Sequence, residues 1–332
     1  MKELLTISGR IVIILAVIYI TSYFLGINKR GENIYIFSRQ WSSEGDNQAI
    51  ASFSPDSVII TKSGEIYTGD SRNNSVQKFD SNGNFVMTWG GDGSGDGQFN
   101  GINKVASDSK DNIYAADTYN NRIEKFDSSG KFITKWGVKG TGNGQFDSPG
   151  SVTADMGDNI YVADTGNDRI QKFDSSGKFI AKFGTKGSKN GEFMAPSDIS
   201  ADGDGNIYVA DTGNNRIQKF NSSGAFMFRW GEFGRDTGCF NNPSGISAGE
   251  NIYVADTGND RIEIFDPSGN FISSFGSWGT DGDNFVYPRS LALDSYGNIY
   301  VADTENHYIK KFIASDEKML ERVKTSYLRT DD

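Results

Sequence analysis

Residues 207–220 read IYVADTGNNRIQKF, and six versions of this phrase occur along the chain. The copies begin at Ile66, Ile113, Ile160, Ile207, Ile252 and Ile299, so that the steps between them are 47, 47, 47, 45 and 47 residues. A period of this length, with several short segments in each copy, is typical of an array of equal structural units. The repeat therefore says more about the fold than the total length of 332 residues does.

Each repeat contains four segments that read as β-strands. In the third repeat these are SVTAD (151–155), IYVADT (160–165), RIQKFD (169–174) and KFIAKFG (178–184). Short segments of this kind, separated by Gly, Asn, Asp and Ser, predict antiparallel strands joined by tight turns. One four-stranded sheet per repeat is the blade of a β-propeller, so the sequence predicts an all-β protein with six blades.

The fourth segment of a repeat carries two aromatic residues four positions apart, such as Phe85 and Trp89. No pair of this kind follows Phe312, where the last third segment ends, whereas Phe37 and Trp41 precede the first repeat. We expect the N-terminal strand to complete the sixth blade, because this closure leaves no blade with a missing strand.

The N-terminal segment differs in composition from the repeats. Residues 11–27 (IVIILAVIYITSYFLGI) carry no charge, and their length is at the short end of a helical membrane span. No small-residue cleavage site follows them, which favours a retained single-pass anchor over a cleaved signal peptide. Basic residues flank the segment on both sides, so they hardly decide the orientation. We expect the propeller to be extracellular, and protease added to intact cells would then remove it.

These features predict the organisation of the whole chain. It consists of a short flank (1–10), a transmembrane anchor (11–27), a linker (28–32), a propeller (33–313) and a tail (314–332). The tail has an apolar stripe at helical spacing, which predicts a short helix. A single cysteine, Cys239, excludes an intramolecular disulfide.

The phrase at 208–220, together with a glycine-rich link that ends in Phe and is followed by Pro three residues later, resembles the NHL repeat. The Phe and Pro pairs are Phe193 with Pro196, Phe240 with Pro243, and Phe285 with Pro288. The resemblance covers residues 33–313 and implies a six-bladed propeller. NHL proteins include RNA- and protein-binding modules, a bacterial receptor kinase sensor domain and a peptidylglycine amidating lyase, so the resemblance leaves the function open.

An aspartate and, five residues later, an arginine recur in the repeated phrase. We interpret them as structural, because a residue that every blade needs is needed by the blade itself. An aspartate at a strand end can accept the N–H groups of the following turn, and the arginine can return to it. The residues are Asp70, Asp117, Asp164, Asp211, Asp256 and Asp303, with Arg122, Arg169, Arg216 and Arg261.

The residues available for catalysis are few. The amidating lyases of the NHL group bind metal through several histidines, whereas this chain has only His307. At the rim of the predicted channel, the first strands offer two charges of each sign: Asp56, Lys104, Asp198 and Arg289. Calcium lactonases of related six-bladed folds instead direct Glu, Asn and Asp side chains into the channel. We therefore predict a protein without metal or cofactor, and a non-enzyme.

The charge distribution bears on the class of partner. The chain has 33 basic and 43 acidic residues, a net charge of −10, and the links between blades are mostly acidic or neutral. Nucleic-acid binding needs a basic face with aromatic side chains, and mostly acidic or neutral links do not provide one. RNA is therefore the third choice of ligand.

Departures from the repeated phrase mark the candidate ligand-binding residues, which we place on the top face, where links enter the blades. They are Arg72, Tyr119, Phe233, Arg235, Trp278, His307 and Tyr308. Exposed aromatics with arginine are typical of binding hot spots, although packing of the loops onto the propeller would explain them equally well. The leading hypothesis is a membrane-anchored propeller that binds a protein, peptide or glycan partner. The alternative is a metal-dependent hydrolase or lyase, such as a lactonase, with a site in the channel. The sequence leaves the oligomeric state open.

Overall fold

A computed structural model describes residues 34–43, 45–46 and 53–315. The predicted anchor at 11–27 and nearly all of the predicted helical tail lie outside these residues, so both stay predictions. Within the described part of the chain, no helix is long and apolar enough to cross a membrane.

The described residues form six antiparallel sheets, one for each repeat. The N-terminal strands are β1 (Ile34–Ser42) and β2 (Gly45–Asp46). Blade 1 contains β3 (Pro55–Ile60), β4 (Ile66–Asp70), β5 (Ser75–Phe79) and β6 (Phe85–Gly90). Blade 2 contains β7 (Ile102–Ser107), β8 (Ile113–Asp117), β9 (Arg122–Phe126) and β10 (Phe132–Trp136). Blade 3 contains β11 (Ser151–Ala154), β12 (Ile160–Asp164), β13 (Arg169–Phe173) and β14 (Phe179–Phe183).

The second half of the ring repeats this pattern. Blade 4 contains β15 (Asp198–Ala201), β16 (Ile207–Asp211), β17 (Arg216–Phe220) and β18 (Phe226–Trp230). Blade 5 contains β19 (Pro243–Ala248), β20 (Ile252–Asp256), β21 (Arg261–Phe265) and β22 (Phe271–Phe275). Blade 6 contains β23 (Pro288–Leu293), β24 (Ile299–Asp303) and β25 (Tyr308–Ser315). Single 3₁₀ turns follow β12, β16, β20 and β24 at Thr165–Asn167, Thr212–Asn214, Thr257–Asn259 and Thr304–Asn306.

The first strands of consecutive blades contact one another in a closed circle, in which β23 meets β3. The prediction of an all-β, six-bladed propeller with four-stranded antiparallel blades is thereby confirmed. The strand order of the last sheet is β2-β1-β25-β24-β23, so β1 lies beside the third strand of blade 6 and supplies its fourth strand.

Aromatic side chains fill the space between blades. Trp89 of blade 1 packs between Tyr67 of its own blade and Phe126 of blade 2, with ring centroids 6.0 and 5.8 Å away. Trp41 of β1 packs in the same way between Tyr300 of blade 6 and Phe79 of blade 1, at 6.1 and 6.3 Å. The N-terminal strand therefore places its aromatic residue as a fourth strand does.

In blades 1 to 5, the turn after the third strand needs glycine for two reasons. Gly83 has a φ of +77°, and a Cβ on it would lie 2.9 Å from the Trp41 ring. Other residues rarely adopt this φ, and only glycine leaves room for the tryptophan. The turn and the aromatic of the preceding blade are thus fitted to each other.

Because the strands of a blade alternate in direction, the turns between second and third strands lie on the same face as the links between blades. We call this surface the link face; it is the top face of the sequence analysis. The turns between first and second strands lie on the opposite face.

Candidate functional site

The aspartate that ends each second strand is the buried centre of a hydrogen-bond cluster. In blade 2, Asp117 accepts from Arg122 Nε at 2.7 Å, Asn120 Nδ2 at 2.9 Å and the Asn100 main-chain N–H at 2.8 Å. Burial raises the pKa of Asp117, and these donors oppose the rise. The carboxylate joins the turn of its own blade to the link that enters that blade.

Arg122 holds the same link with the rest of its guanidinium group. NH1 donates to Ser94 O at 2.7 Å, and NH2 donates to Gly95 O and Gln98 O, both at 2.8 Å. The planar guanidinium suits this task because it presents five N–H donors in a fixed geometry. The equivalent ion pairs are Asp164–Arg169, Asp211–Arg216 and Asp256–Arg261, with Oδ2–Nε distances of 2.7, 2.6 and 2.8 Å. These pairs fix the links of the candidate face.

Blades 1 and 6 have Ser75 and Tyr308 at the arginine position, and the middle residue of the third strand contacts the aspartate. In blade 6, Lys310 Nζ lies 2.8 Å from Asp303 Oδ2 and donates to the main-chain O of Asn284 at 2.6 Å. In blade 1, Gln77 Nε2 donates to Asp70 Oδ2 at 3.0 Å. Gln77 keeps the contact that Gln171 and Gln218 make in blades 3 and 4. Lys310 departs from the Gln or Glu of the other blades, which an alignment of the repeats would have shown.

The predicted channel-rim residues pair with one another. At the mouth, Arg289 NH1 of blade 6 lies 2.8 Å from Asp56 Oδ1 of blade 1, and the Ser71 hydroxyl donates to the same carboxylate. Burial raises the pKa of Asp56 above its usual range, while Ser71, Arg289 and Lys104 oppose the rise. The Arg289 side chain is 44 % exposed and that of Asp56 only 2 %, so the arginine is the solvent-facing partner.

One position further along the first strand, Lys104 of blade 2 reaches across the channel. Its Nζ lies 3.1 Å from Asp198 Oδ2 of blade 4 and donates to Arg289 O of blade 6 at 2.9 Å. Blades 2, 4 and 6 alternate around the ring, so the ammonium lies close to the channel axis. Burial lowers the pKa of Lys104, and Asp198 opposes the change.

A cavity of about 190 Å³ lies in the channel beside this ion pair. Its walls are aliphatic side chains of the first strands, interrupted by the small polar residues Ser107, Thr153, Ser200 and Ser247. Throughout the described ranges, no group of three or more His, Cys, Asp or Glu residues could hold a metal ion.

Five of the predicted top-face residues are exposed: Arg72, Tyr119, Phe233, Arg235 and Trp278. Phe233 is 73 % exposed and Trp278 is 76 % exposed. They occupy the same position in consecutive links, because each forms an isolated parallel bridge to the Phe that ends its link. The links at the same place before blades 2, 3 and 4 have Asp92, Lys139 and Lys186. The two aromatics therefore lie in neighbouring links of the link face.

His307 and Tyr308 are only half-exposed. The His307 backbone has a φ of +63°, and its Nδ1 donates to Phe53 O at 2.7 Å. In the other blades, an Asn or Asp at this position accepts an N–H from the next link, as Asn121 does from Ser148 at 2.9 Å. His307 thus joins blade 6 to blade 1, as the Asn and Asp residues join the other neighbouring blades. Tyr308 occupies the position that Arg122 has in blade 2.

Tyr287 is among the exposed residues of the link face that escaped the sequence reasoning, with Val138 and Met194. Tyr287 is 47 % exposed at a position where the other links have Gly101, Ser148, Ala195 and Asn242. Its backbone has a φ of +56°, and its N–H donates to Asp260 Oδ1 at 2.8 Å. A bulky residue at this strained position was the available signal, since large side chains rarely adopt a positive φ.

The family model of the NHL repeat matches residues 99–126, 146–173, 193–220 and 285–312. Each match runs from the Phe that ends a link to the Phe that ends a third strand. Four of the six blades carry NHL repeats. The matched segments lie in blades 2, 3, 4 and 6, and blades 1 and 5 have the same order of strands. No curated protein matches the sequence.

Solved structures show the same fold at low sequence identity. A streptogramin B lyase has 12 % identity and a TM-score of 0.61, covering 86 % of this chain and 100 % of its own. A protein of unknown function from Bacteroides thetaiotaomicron has 17 % identity and a TM-score of 0.63, covering 86 % and 76 %. An auxiliary nutrient binding protein from the same organism has 14 % identity and a TM-score of 0.60, covering 78 % and 68 %. Similarity at this level establishes the fold alone.

Proposed function

We propose that the propeller is a non-catalytic binding module that takes a protein, peptide or glycan partner on its link face. The observation that carries the proposal is the exposure of Phe233 and Trp278 at the same position of consecutive links. Large aromatic side chains dominate binding energy when a partner covers them. Arg235, in the same link as Phe233, adds a cation of the type that is enriched at such sites.

The scaffold around these residues supports binding because it is rigid. The main-chain O of Arg235 accepts from Arg261 NH1 at 2.9 Å, and Lys310 Nζ donates to Asn284 O at 2.6 Å in the link of Trp278. A link that is already ordered loses less conformational entropy when a partner binds.

The charged residues of the channel fit an enzyme less well. Asp56, Lys104, Asp198 and Arg289 pair among themselves, and a substrate would have to displace these contacts. A lyase and a nutrient binding protein both share the fold, so the fold itself is compatible with either function.

Photocrosslinking tests the proposal with the full chain. A benzophenone amino acid replaces Phe233 or Trp278 in one pair of variants, and Met156 or Tyr296 in a control pair. Met156 and Tyr296 are 80 % and 85 % exposed in turns of the opposite face. We expect the same partner to be captured from positions 233 and 278 and not from the control positions. Capture from the control positions alone, or from none of the four, would contradict the proposal.

A further inference from the structure

Two glutamates occupy a buried position at which three other blades have glutamine and blade 6 has a lysine. The middle residue of the third strand is Gln171 in blade 3 and Gln218 in blade 4, but Glu124 in blade 2 and Glu263 in blade 5. All four side chains are fully buried. Across the six blades this place therefore holds an amide in three cases, a carboxyl group in two and, in blade 6, the ammonium of Lys310.

The glutamines show which hydrogen bonds this position must make. Gln171 Nε2 donates to the main-chain O of Gln145 at 2.7 Å and to Asp164 Oδ2 at 3.0 Å, while its Oε1 accepts the Gly144 N–H at 2.9 Å. Gln218 repeats the three contacts at 2.7, 2.9 and 2.9 Å. The amide thus needs one acceptor and one donor group, and it fastens the link to the buried aspartate.

In the glutamate blades one oxygen takes over the acceptor role. The N–H of Gly97 donates to Glu124 Oε2 at 2.9 Å, and that of Gly238 donates to Glu263 Oε1 at 3.3 Å. The other oxygen of each carboxyl group is buried and makes no hydrogen bond. Glu124 Oε1 does lie 2.7 Å from Arg122 NH2, but that nitrogen directs its hydrogens to Gly95 O and Gln98 O.

The unbonded oxygen of each glutamate corresponds to the Nε2 atom of the glutamines. In blades 3 and 4, that nitrogen donates to a main-chain O of the link and to the aspartate. A carboxylate has no hydrogen to give to these two acceptors, whereas a neutral carboxylic acid has one. The hydrogen-bond geometry therefore favours the protonated form of both glutamates, and the ion-pair contacts of Arg122 and Arg261 NH2 with the Oε1 atoms of Glu124 and Glu263, at 2.7 and 3.2 Å, oppose it.

The charges around each glutamate are mixed. Glu124 faces Arg122, Asp117 and, from the fourth strand, Lys135. Glu263 faces Arg261 and Asp256 in its own blade, and Cys239 in the link that covers it. Burial raises the pKa of both glutamates to about 7, with the arginines and the glycine N–H groups opposing the rise and the aspartates adding to it.

We propose that Glu124 and Glu263 are neutral acids in the folded blades, and that ionisation of Glu263 weakens the attachment of the link at 231–242. This link carries Phe233 and Arg235, so binding through it weakens as the solution becomes less acidic. The consequence for binding rests on the proposed function, but the change in the link itself requires no partner.

Hydrogen–deuterium exchange of the full chain tests the proposal without any ligand. When the link opens, Glu263 meets solvent, where the pKa of a glutamate is about 4.3. Between that value and about 7, opening releases a proton. The protection factor of the 231–242 segment, corrected for intrinsic exchange, should therefore fall as pH rises from 5 to 7, by up to about tenfold per pH unit. It should be constant above that range.

Two variants give this experiment its controls. Glu263→Gln reproduces the amide of blades 3 and 4, and it should make protection of the segment independent of pH between 5 and 7. Gln218→Glu should confer the same pH dependence on the link at 184–195. A wild-type segment whose protection does not change between pH 5 and 7 would overturn the proposal, as would an unchanged slope in Glu263→Gln. Neither result would bear on the crosslinking test of partner binding.

Discussion

Lys310 and Lys311 are neighbours in the sequence but have opposite environments. The Lys310 side chain is 0 % exposed against Asp303, whereas Lys311 is 20 % exposed and lies 4.0 Å from Asp294. Lys310 forms the ion pair with the buried aspartate that an arginine forms in blades 2 to 5, and we call this pair the clamp. Lys311 belongs to the surface.

Substituting these two lysines tests the clamp. Lys310→Met leaves the buried Asp303 without its cation and should lower the free energy of unfolding by about 3–5 kcal/mol. The control Lys311→Met removes a weak surface pair and a contact with the Tyr300 ring, and should cost no more than about 1–2 kcal/mol. Urea unfolding of both variants measures the difference. Equal losses would show that Lys310 does not act as a clamp.

At the scale of single residues, the sequence predicts the kind of contact better than the partner. Pairing of Asp117 with Arg122 was expected, because both belong to one repeated phrase. The sequence places Lys104 at the channel rim, but its partner Asp198 lies two blades away. That pairing depends on the curvature of the ring, which has no signature in the local sequence.

Among the strands, the fourth of each blade differs from the second and third. Every residue of Ile160–Asp164 is buried, because this strand has a sheet on both faces, whereas burial alternates along Phe179–Phe183. The predicted first segment of the third repeat extends to Asp155, while the observed strand ends at Ala154. Asp155 belongs to the turn, since its Oδ1 accepts the N–H groups of Gly157 and Asn159.

Among the strands, β1 allows a test of how the ring is closed. Trp41→Ala should lower the free energy of unfolding by about 3–5 kcal/mol, because it empties a packed space between blades 6 and 1. Trp89→Ala, at the equivalent place in blade 1, should cost a comparable amount. Ile36 is 45 % exposed on the same N-terminal strand, so Ile36→Ala should cost far less. Urea unfolding that does not distinguish Trp41→Ala from Ile36→Ala would contradict closure by this strand.

For the whole molecule, the fold could be predicted because six copies of one phrase each specify the same blade. The binding site could be predicted only in part. Phe233 and Trp278 depart from a repeated pattern and so attract attention, but the repeats give no second copy of a site that exists once. Comparing the repeats with one another therefore reveals the fold but does not identify the ligand.

The affinity of the partner captured by photocrosslinking tests the account most directly. Titration calorimetry with the full chain should show that Phe233→Ala and Trp278→Ala each weaken binding by at least about tenfold, because each removes a large aromatic contact. Met156→Ala and Tyr296→Ala, on the opposite face, should leave the dissociation constant within about twofold of the wild type. A partner that binds the Phe233→Ala and Trp278→Ala variants as tightly as the wild type would contradict binding at the link face.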